Sequence, residues 1–136
     1  MNLISVYQRK DASEILYALL QERDGDVTVN ISHRKMPTWR EHLKFVRSHP
    51  YRVWFLIQVE DVFVGAIYLS KQDEIGVFIF KRFQGHSYGP EAIKELMTRT
   101  PRRRYIANIN PRNEKSAAVF ERLGFRHAQN TFVLSR

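Results

Sequence analysis

The residues best suited to chemistry lie between Glu74 and Met97, in the stretch EIGVFIFKRFQGHSYGPEAIKELM. An apolar run, Ile75 to Phe80, leads into Gln84-Gly85-His86-Ser87-Tyr88-Gly89, and a helical pattern follows with Pro90 at its start and Ala92, Ile93, Leu96 and Met97 on one face. A strand, a glycine-bearing loop and a helix in that order make an anion site. The first N–H groups of a helix lack internal acceptors, the helix dipole is positive at that end, and glycines let backbone donors come close to phosphate oxygens. Taken alone, these residues leave a second reading open, in which the glycines only turn the chain. The patterns G-x-x-x-x-G-K-[ST] and G-x-G-x-x-G are both absent, which removes the usual support for a mononucleotide P-loop or a dinucleotide fold.

Gly85-His86-Ser87-Tyr88-Gly89 also fits G-x-S-x-G, the turn that carries a hydrolase serine between a strand and a helix. The partners for that chemistry are poor. No aspartate follows Ser87, so only Glu91, Glu95, Glu114 or Glu121 with His127 could complete the order, and Lys81 to Gln84 separate the strand from the turn. Histidines 33, 42, 49, 86 and 127 show no metal-ligand spacing, and the chain has no cysteine, so no metal site is expected. His42 reads as a surface or helix-cap residue, and Trp39, Trp54 and Tyr68 as core or rim residues.

Twenty-two Lys and Arg against 14 Asp and Glu give a net charge of +8, which draws acidic partners to the surface. Arg102-Arg103-Arg104 beside Tyr105 raises a nucleic-acid reading, whose other marks are missing: the remaining basic residues do not cluster, and no helix-turn-helix, zinc spacing or RNP-like strand appears. The alternative for the run is a solvated turn. No segment approaches the roughly 18 apolar residues of a membrane span. The first residues, MNLISVYQRKDASE, do not read as a signal peptide, so a cytoplasmic location is expected.

The elements that must position the loop follow from the hydrophobic period. Leu3 to Tyr7 reads as a strand and Ala12 to Gln21 as a helix, and Thr38 with Glu41 is a capping box that opens a second helix running to about Ser48. Val53 to Val59, Val62 to Leu69 and Ile75 to Phe80 are β-rich runs joined by breaks so short that neighbouring strands must be antiparallel. The helix after Gly89 stops before Pro101. Tyr105 to Ile109 reads as a strand, then a helix with Ala117, Ala118, Val119 and Leu123 inward and Gly124 as its left-handed stop, then a final strand pair at Phe125 to His127 and Thr131 to Leu134. The order β-α-α-β-β-β-α-β-α-β-β predicts an α/β (α+β) fold, one domain over 1–136, with a mixed, mostly antiparallel sheet flanked by helices. A crossover helix between Phe80 and Tyr105 makes those two strands the candidates for a central parallel pair.

The strand, the Gln84-Gly85-x-x-x-Gly89 turn and the next helix resemble the acetyl-CoA motif R/Q-x-x-G-x-G/A of the GNAT (GCN5-related N-acetyltransferase) superfamily. Asn113-x-x-Ser116, Phe120 and Gly124-Phe125 resemble its second motif, and the element order is the superfamily's own, so the resemblance covers essentially the whole chain. It implies an N-acetyltransferase that passes an acetyl group directly from acetyl-CoA to a primary amine. It further implies a splayed central parallel pair, phosphates on Gln84, Gly85, His86, Ser87, Tyr88 and Gly89, and pantetheine along Phe78, Ile79, Phe80 and Lys81, whose amides polarise the thioester carbonyl. Asn113 and Phe120 complete the implied coenzyme contacts, and Glu74 matches the general base of part of the superfamily. The chain departs from the pattern twice. Ser87 stands where glycine is usual, a position it can hold with φ below zero; Phe120 stands where many members carry a tyrosine that protonates the thiolate.

For the acceptor, Asn30-Ile31-Ser32-His33, Trp39 to Phe45 and Trp54 to Ile57 resemble the members that acetylate nucleotide-linked amino sugars, as in the pseudaminic-acid pathway. A nucleotide-sugar partner is therefore expected, with a protein N-terminus or another small amine as the alternative, no membrane partner, and a monomer or homodimer.

Overall fold

The β-rich middle of the sequence builds the sheet that carries everything else. The computed structural model describes residues 1–24 and 35–136, and the sheet holds β1 (Asn2–Ser5), β2 (Val53–Val59), β3 (Val62–Leu69) and β4 (Ile75–Ile79), all antiparallel and paired in sequence order. Glu60 and Asp61, at φ 49° and 64°, close the β2–β3 hairpin; two left-handed residues in succession match the right-handed twist of the strands they join. Trp54 lies opposite Tyr68 and Leu56 opposite Ala66, with a register shift at Ile57/Gln58.

Side-chain alternation divides the sheet into two cores. On one face Leu3, Val64, Ile67, Leu69 and Ile75 meet Ala92, Ile93 and Leu96 of α3 (Tyr88–Arg99) and Phe120 of α4 (Glu114–Arg122). On the other, Trp54, Leu56, Ala66 and Phe80 meet Ala12, Leu16 and Leu19 of α1 (Ala12–Arg23) and Val46 of α2 (Trp39–Arg47). Each fully buried side chain among these, such as Leu56, Ile67, Ile93 or Leu96, contributes about 1.5–3 kcal/mol through the water it leaves. The capping box forms as read: the Glu41 N–H donates to Thr38 Oγ1 at 3.2 Å, and the Thr38 N–H donates to Glu41 Oε1 at 2.8 Å.

Two expectations are corrected. The run Tyr105 to Ile109 is not a strand: it makes a single parallel bridge, in which the Ile75 N–H donates to the Ile106 carbonyl at 2.8 Å and the Ile106 N–H to the Asp73 carbonyl at 2.9 Å. Beyond that bridge β4 and 107–110 diverge, and a strand cannot continue without a ladder to join. The closing pair at Phe125 to His127 and Thr131 to Leu134 forms no strands either. Gly124 ends α4 at φ 97° as expected, and the Phe125 N–H donates to the Phe120 carbonyl at 3.0 Å; from Arg126 onward every residue is exposed.

Candidate functional site

The single bridge at Ile106 makes a fork, with β4 as one arm and 107–110 as the other. Pairing with β3 decides which β4 amides face into it. Phe80 donates to the Val64 carbonyl at 2.9 Å, and Gly76 and Phe78 lie opposite Tyr68 and Ala66 on the same alternation, whereas Ile75 turns its N–H to Ile106. Val77 and Ile79 share the parity of Ile75, so their N–H groups face the open fork. Of the strip Phe78, Ile79, Phe80 and Lys81 read from sequence, only Ile79 presents an amide that meets no acceptor among the described residues. The Lys81 N–H donates to the Glu22 carboxylate of α1. Val77 was missed, although the period of two along the strand was the signal that names it.

At the far end of β4 a short turn, Lys81–Phe83, leads to the loop. The Gln84 side chain donates back to the Ile79 carbonyl at 3.1 Å and fixes the loop to the strand. Gly85 has φ 85° and Ser87 φ 65°, ψ 17°. The sequence expectation that Ser87 keeps φ below zero is thus corrected: it takes the left-handed conformation that glycine holds without strain, because the chain must swing its amides to one side before α3 begins. Helix α3 starts at Tyr88, two residues before Pro90, and its first internal bond is from the Glu91 N–H to the Ser87 carbonyl at 3.2 Å. Among the described residues, no acceptor meets the N–H groups of Gly85, His86, Ser87, Tyr88 or Gly89. The result is a concave run of donors at the positive end of a helix, open to solvent and suited to a pyrophosphate.

Glu74 stands at the root of the fork. Its N–H donates to Ser70 Oγ at 2.9 Å, and its Oε1 accepts from Asn108 Nδ2, on the other arm, at 3.0 Å. Tyr68 approaches from β3 by lying across Gly76: a Cβ placed on Gly76 would fall 2.2 Å from the Tyr68 ring. Tyr51 stacks on Tyr68 with centroids 3.8 Å apart at 5°. The Arg23 guanidinium covers the Phe78 ring at 3.6 Å. Burial pushes the Tyr68 phenol above its usual pKa and the Arg23 guanidinium below its own. Tyr51, Arg23 and Asn108 were not singled out in the sequence and Tyr68 was read as a core or rim residue, since residues so far apart in the chain leave no spacing to read.

Other candidates fall elsewhere. Asn113 caps α4, its Oδ1 accepting the Ser116 N–H at 3.1 Å. Phe120 is buried in the core, edge-to-face with Phe125 at 5.1 Å. His42 is no surface residue: it is 2% exposed, and its Nε2 lies 2.8 Å from the Ser13 carbonyl, joining α2 to α1. Arg102 pairs with Asp73 at 2.8 Å, at the end of the twelve-residue α3 remote from the loop and about 18 Å away. Arg102 is therefore tied to Asp73 at the opposite end of α3 from the loop. His127 Nε2 sits 2.7 Å from the Gln129 carbonyl in the exposed last segment, so it is not set beside Ser87 as hydrolase chemistry requires. Of the acceptor residues read from sequence, Trp54, Leu56 and Ile57 belong to the core, and 30–33 lie outside the described residues.

A sheet forking beside a helix whose mouth carries free amides is the architecture of acetyltransferases. The sequence matches the acetyltransferase (GNAT) domain over residues 3–126, and the chain belongs to that family. It is an acetyl-CoA-dependent N-acetyltransferase. No curated protein matches the sequence. The fold is shared with a domain from Methanocaldococcus jannaschii (TM-score 0.78, 19% identity, 96% of this chain and 90% of that one). It is shared also with an acetyltransferase from Thermus thermophilus (TM-score 0.73, 20% identity, 95% and 88%). A third similar structure, a putative acetyltransferase from Salmonella typhimurium solved with acetyl-CoA, has a TM-score of 0.65 at 14% identity, covering 91% and 77%. Among the described residues, no helix is long and apolar enough to cross a membrane.

Proposed function

We propose that this enzyme acetylates the amino group of a nucleotide-linked amino sugar, by direct transfer, with Glu74 taking the proton from the amine. The observation that carries the coenzyme half of this reading is the unbroken run of free amides from Gly85 to Gly89. These donors hold the phosphates. The thioester arm then lies in the fork against the Val77 and Ile79 N–H groups, which polarise its carbonyl. A neutral amine attacks that carbonyl and the coenzyme leaves as thiolate. With Phe120 buried and lacking a proton to give, water completes the thiol, since a thiolate is a competent leaving group near neutral pH.

The acceptor half rests on the face of the fork turned toward α1. There the Arg23 guanidinium stacks on Phe78, whose ring neighbours Tyr68 of the Tyr51–Tyr68 pair. An anionic acceptor suits such a surface; a cationic peptide amine does not. The net charge of +8 favours the same choice. Acetylation of a protein N-terminus or another small amine is the alternative.

Thermal shift tests the coenzyme half: acetyl-CoA at 100 times its Kd stabilises the fold by about 2.7 kcal/mol. Thiol release, measured with a UDP-linked amino sugar, the free amino sugar and a peptide amine, tests the acceptor half. The expected order has the nucleotide-linked sugar first, and equal rates for linked and free sugar would remove the nucleotide from the proposal.

A further inference from the structure

The end of the sheet remote from the glycine loop gathers cations from three parts of the chain. Asp73 takes the Arg102 guanidinium at 2.8 Å and the Arg52 guanidinium at 3.5 Å, and Arg52 also donates to the Lys71 carbonyl at 3.0 Å. Arg103 and Arg104 follow directly, and all five basic residues are exposed. In the sequence only the arginine triplet is contiguous. Pairing of β2 with β3, which sets Val53 opposite Leu69, brings Arg52 beside Lys71, and the parallel bridge of Glu74 with Ile106 brings both beside the triplet.

The charges there are poorly balanced. Asp73 is the carboxylate that these contacts bring to the five cations, while Glu74, the next residue, accepts from Asn108. Among the described residues, the side chains of Lys71, Arg103 and Arg104 have no hydrogen bond, ion pair or ring contact. Like charges held so close repel one another and attract an anion. The surface lacks what a protein partner needs: no large apolar side chain is exposed among residues 50–52, 70–74 or 100–105, whereas protein interfaces centre on an apolar or aromatic core. It also lacks an exposed ring on which the bases of a single strand could stack, since Tyr51 stacks on Tyr68 and Tyr105 is half-buried with its hydroxyl on the Thr100 carbonyl. Guanidinium and ammonium groups alone fit phosphates alone. A double helix presents phosphates with its bases turned inward, at about one charge per 1.7 Å of axis, twice the density along one strand.

We infer that Arg52, Lys71 and Arg102 to Arg104 form a docking surface for a nucleic-acid double helix, held through its phosphates without regard to sequence or sugar. Lys71, Arg103 and Arg104 supply the contacts, and Asp73 fixes Arg52 and Arg102 beside them. The length of α3, about 18 Å, separates this surface from the run of amides at Gly85 to Gly89, so duplex and coenzyme bind together. None of this depends on acetyl transfer, and the test reads binding with no turnover.

Fluorescence anisotropy is measured on the intact chain with labelled DNA and RNA duplexes of roughly 20 base pairs, at salt from about 50 to about 200 mM. Three unpaired cations predict a log–log salt slope of about −3, a loss of about fortyfold in affinity over that range. Both duplexes should bind within a few-fold of each other and more tightly than a single strand of the same length. Arg103→Glu with Arg104→Glu should weaken binding about tenfold or more and flatten the slope by about 2, whereas Arg103→Lys with Arg104→Lys should hold it. Arg40→Glu with Lys44→Glu on α2, which packs on the other face of the sheet from α3, controls for net charge. Saturating coenzyme A should leave the duplex affinity unchanged. Should the glutamate pair fail to fold by circular dichroism, Lys71→Glu, on the other side of Asp73, decides in its place. The proposal is overturned by an absence of binding at the lowest salt, by binding confined to one duplex or tighter to the single strand, or by equal losses in the α2 control. Displacement by coenzyme A also overturns it, as does tighter binding of poly-glutamate, which would make the partner an acidic protein.

Discussion

Asn108 and Glu74 meet across the root of the fork, the Asn108 Nδ2 donating to Glu74 Oε1 at 3.0 Å. That bond joins the two arms just where β4 and 107–110 part, and it orients the carboxylate proposed as the base. Replacing Glu74 by Gln keeps the shape and removes the basicity. kcat is expected to fall by about a hundredfold or more below neutral pH, with a smaller loss at high pH, where the amine loses its own proton. The Kd for acetyl-CoA, measured by calorimetry, stays unchanged. Asn108→Ala should give a partial loss of kcat in the same direction; equal rates for the natural enzyme and the Glu74→Gln variant across pH reject the base assignment.

The loop offers a contrast between two left-handed residues. Gly85, at φ 85°, has open space around its missing Cβ, so Gly85→Ala is disfavoured by backbone conformation alone, at about 1–2 kcal/mol, and it misaims the amides that follow. Ser87 already bears that strain at φ 65°. Ser87→Gly is therefore expected to raise stability by about 0.5–1 kcal/mol while leaving coenzyme binding intact. Urea titration of both variants, with and without coenzyme A, separates the two effects.

Gly76 is needed because the Tyr68 ring occupies the space its side chain would take. Gly76→Ala must push Tyr68 off the strand, at about 1–3 kcal/mol as in other overpacked sites. Displacing Tyr68 disturbs the Tyr51 stack on the proposed acceptor face while the loop at the other end of β4 is untouched. The KM for the amine should rise and that for acetyl-CoA should hold; a parallel rise in both would place Tyr68 outside the acceptor surface.

His42 makes stability depend on pH. Burial pushes its pKa below the usual 6.5, with the bond to the Ser13 carbonyl opposing the shift only in part. Between the folded pKa and 6.5 the unfolded chain binds more protons than the native one, so stability is full above about pH 6.5 and declines as pH falls below it. Tm measured from about pH 7 to pH 5 should drop, and the slope should flatten in His42→Asn even though that variant is less stable throughout.

How much of this was legible beforehand differs from element to element. β2 and β3 occupy the ranges read from their apolar runs, and Thr38, Glu41 and Gly124 end their helices as their chemistry dictates, because these are local effects settled by neighbours in the chain. The loop from Gln84 to Gly89 was legible for the same reason: a glycine turn opening a helix declares its free amides in sequence. The family followed from that motif and the element order together.

Tertiary structure alone decided what depends on partners. Tyr105 to Ile109 and Thr131 to Leu134 carry strand-forming residues, yet a strand exists only where a second one bonds to it, and composition does not say whether that second one is available. Likewise the amides of Phe80 and Lys81 were taken by Val64 and Glu22, which left Val77 and Ile79 to face the fork. Tyr68, with Tyr51 stacked on it, and Asn108 meet Glu74's end of β4, and Arg23 packs on Phe78 near the other end, through sheet pairing and helix packing. Local propensity determined the pieces and the glycine loop with its free amides; long-range pairing, which carries no signature in residue spacing, determined the cleft.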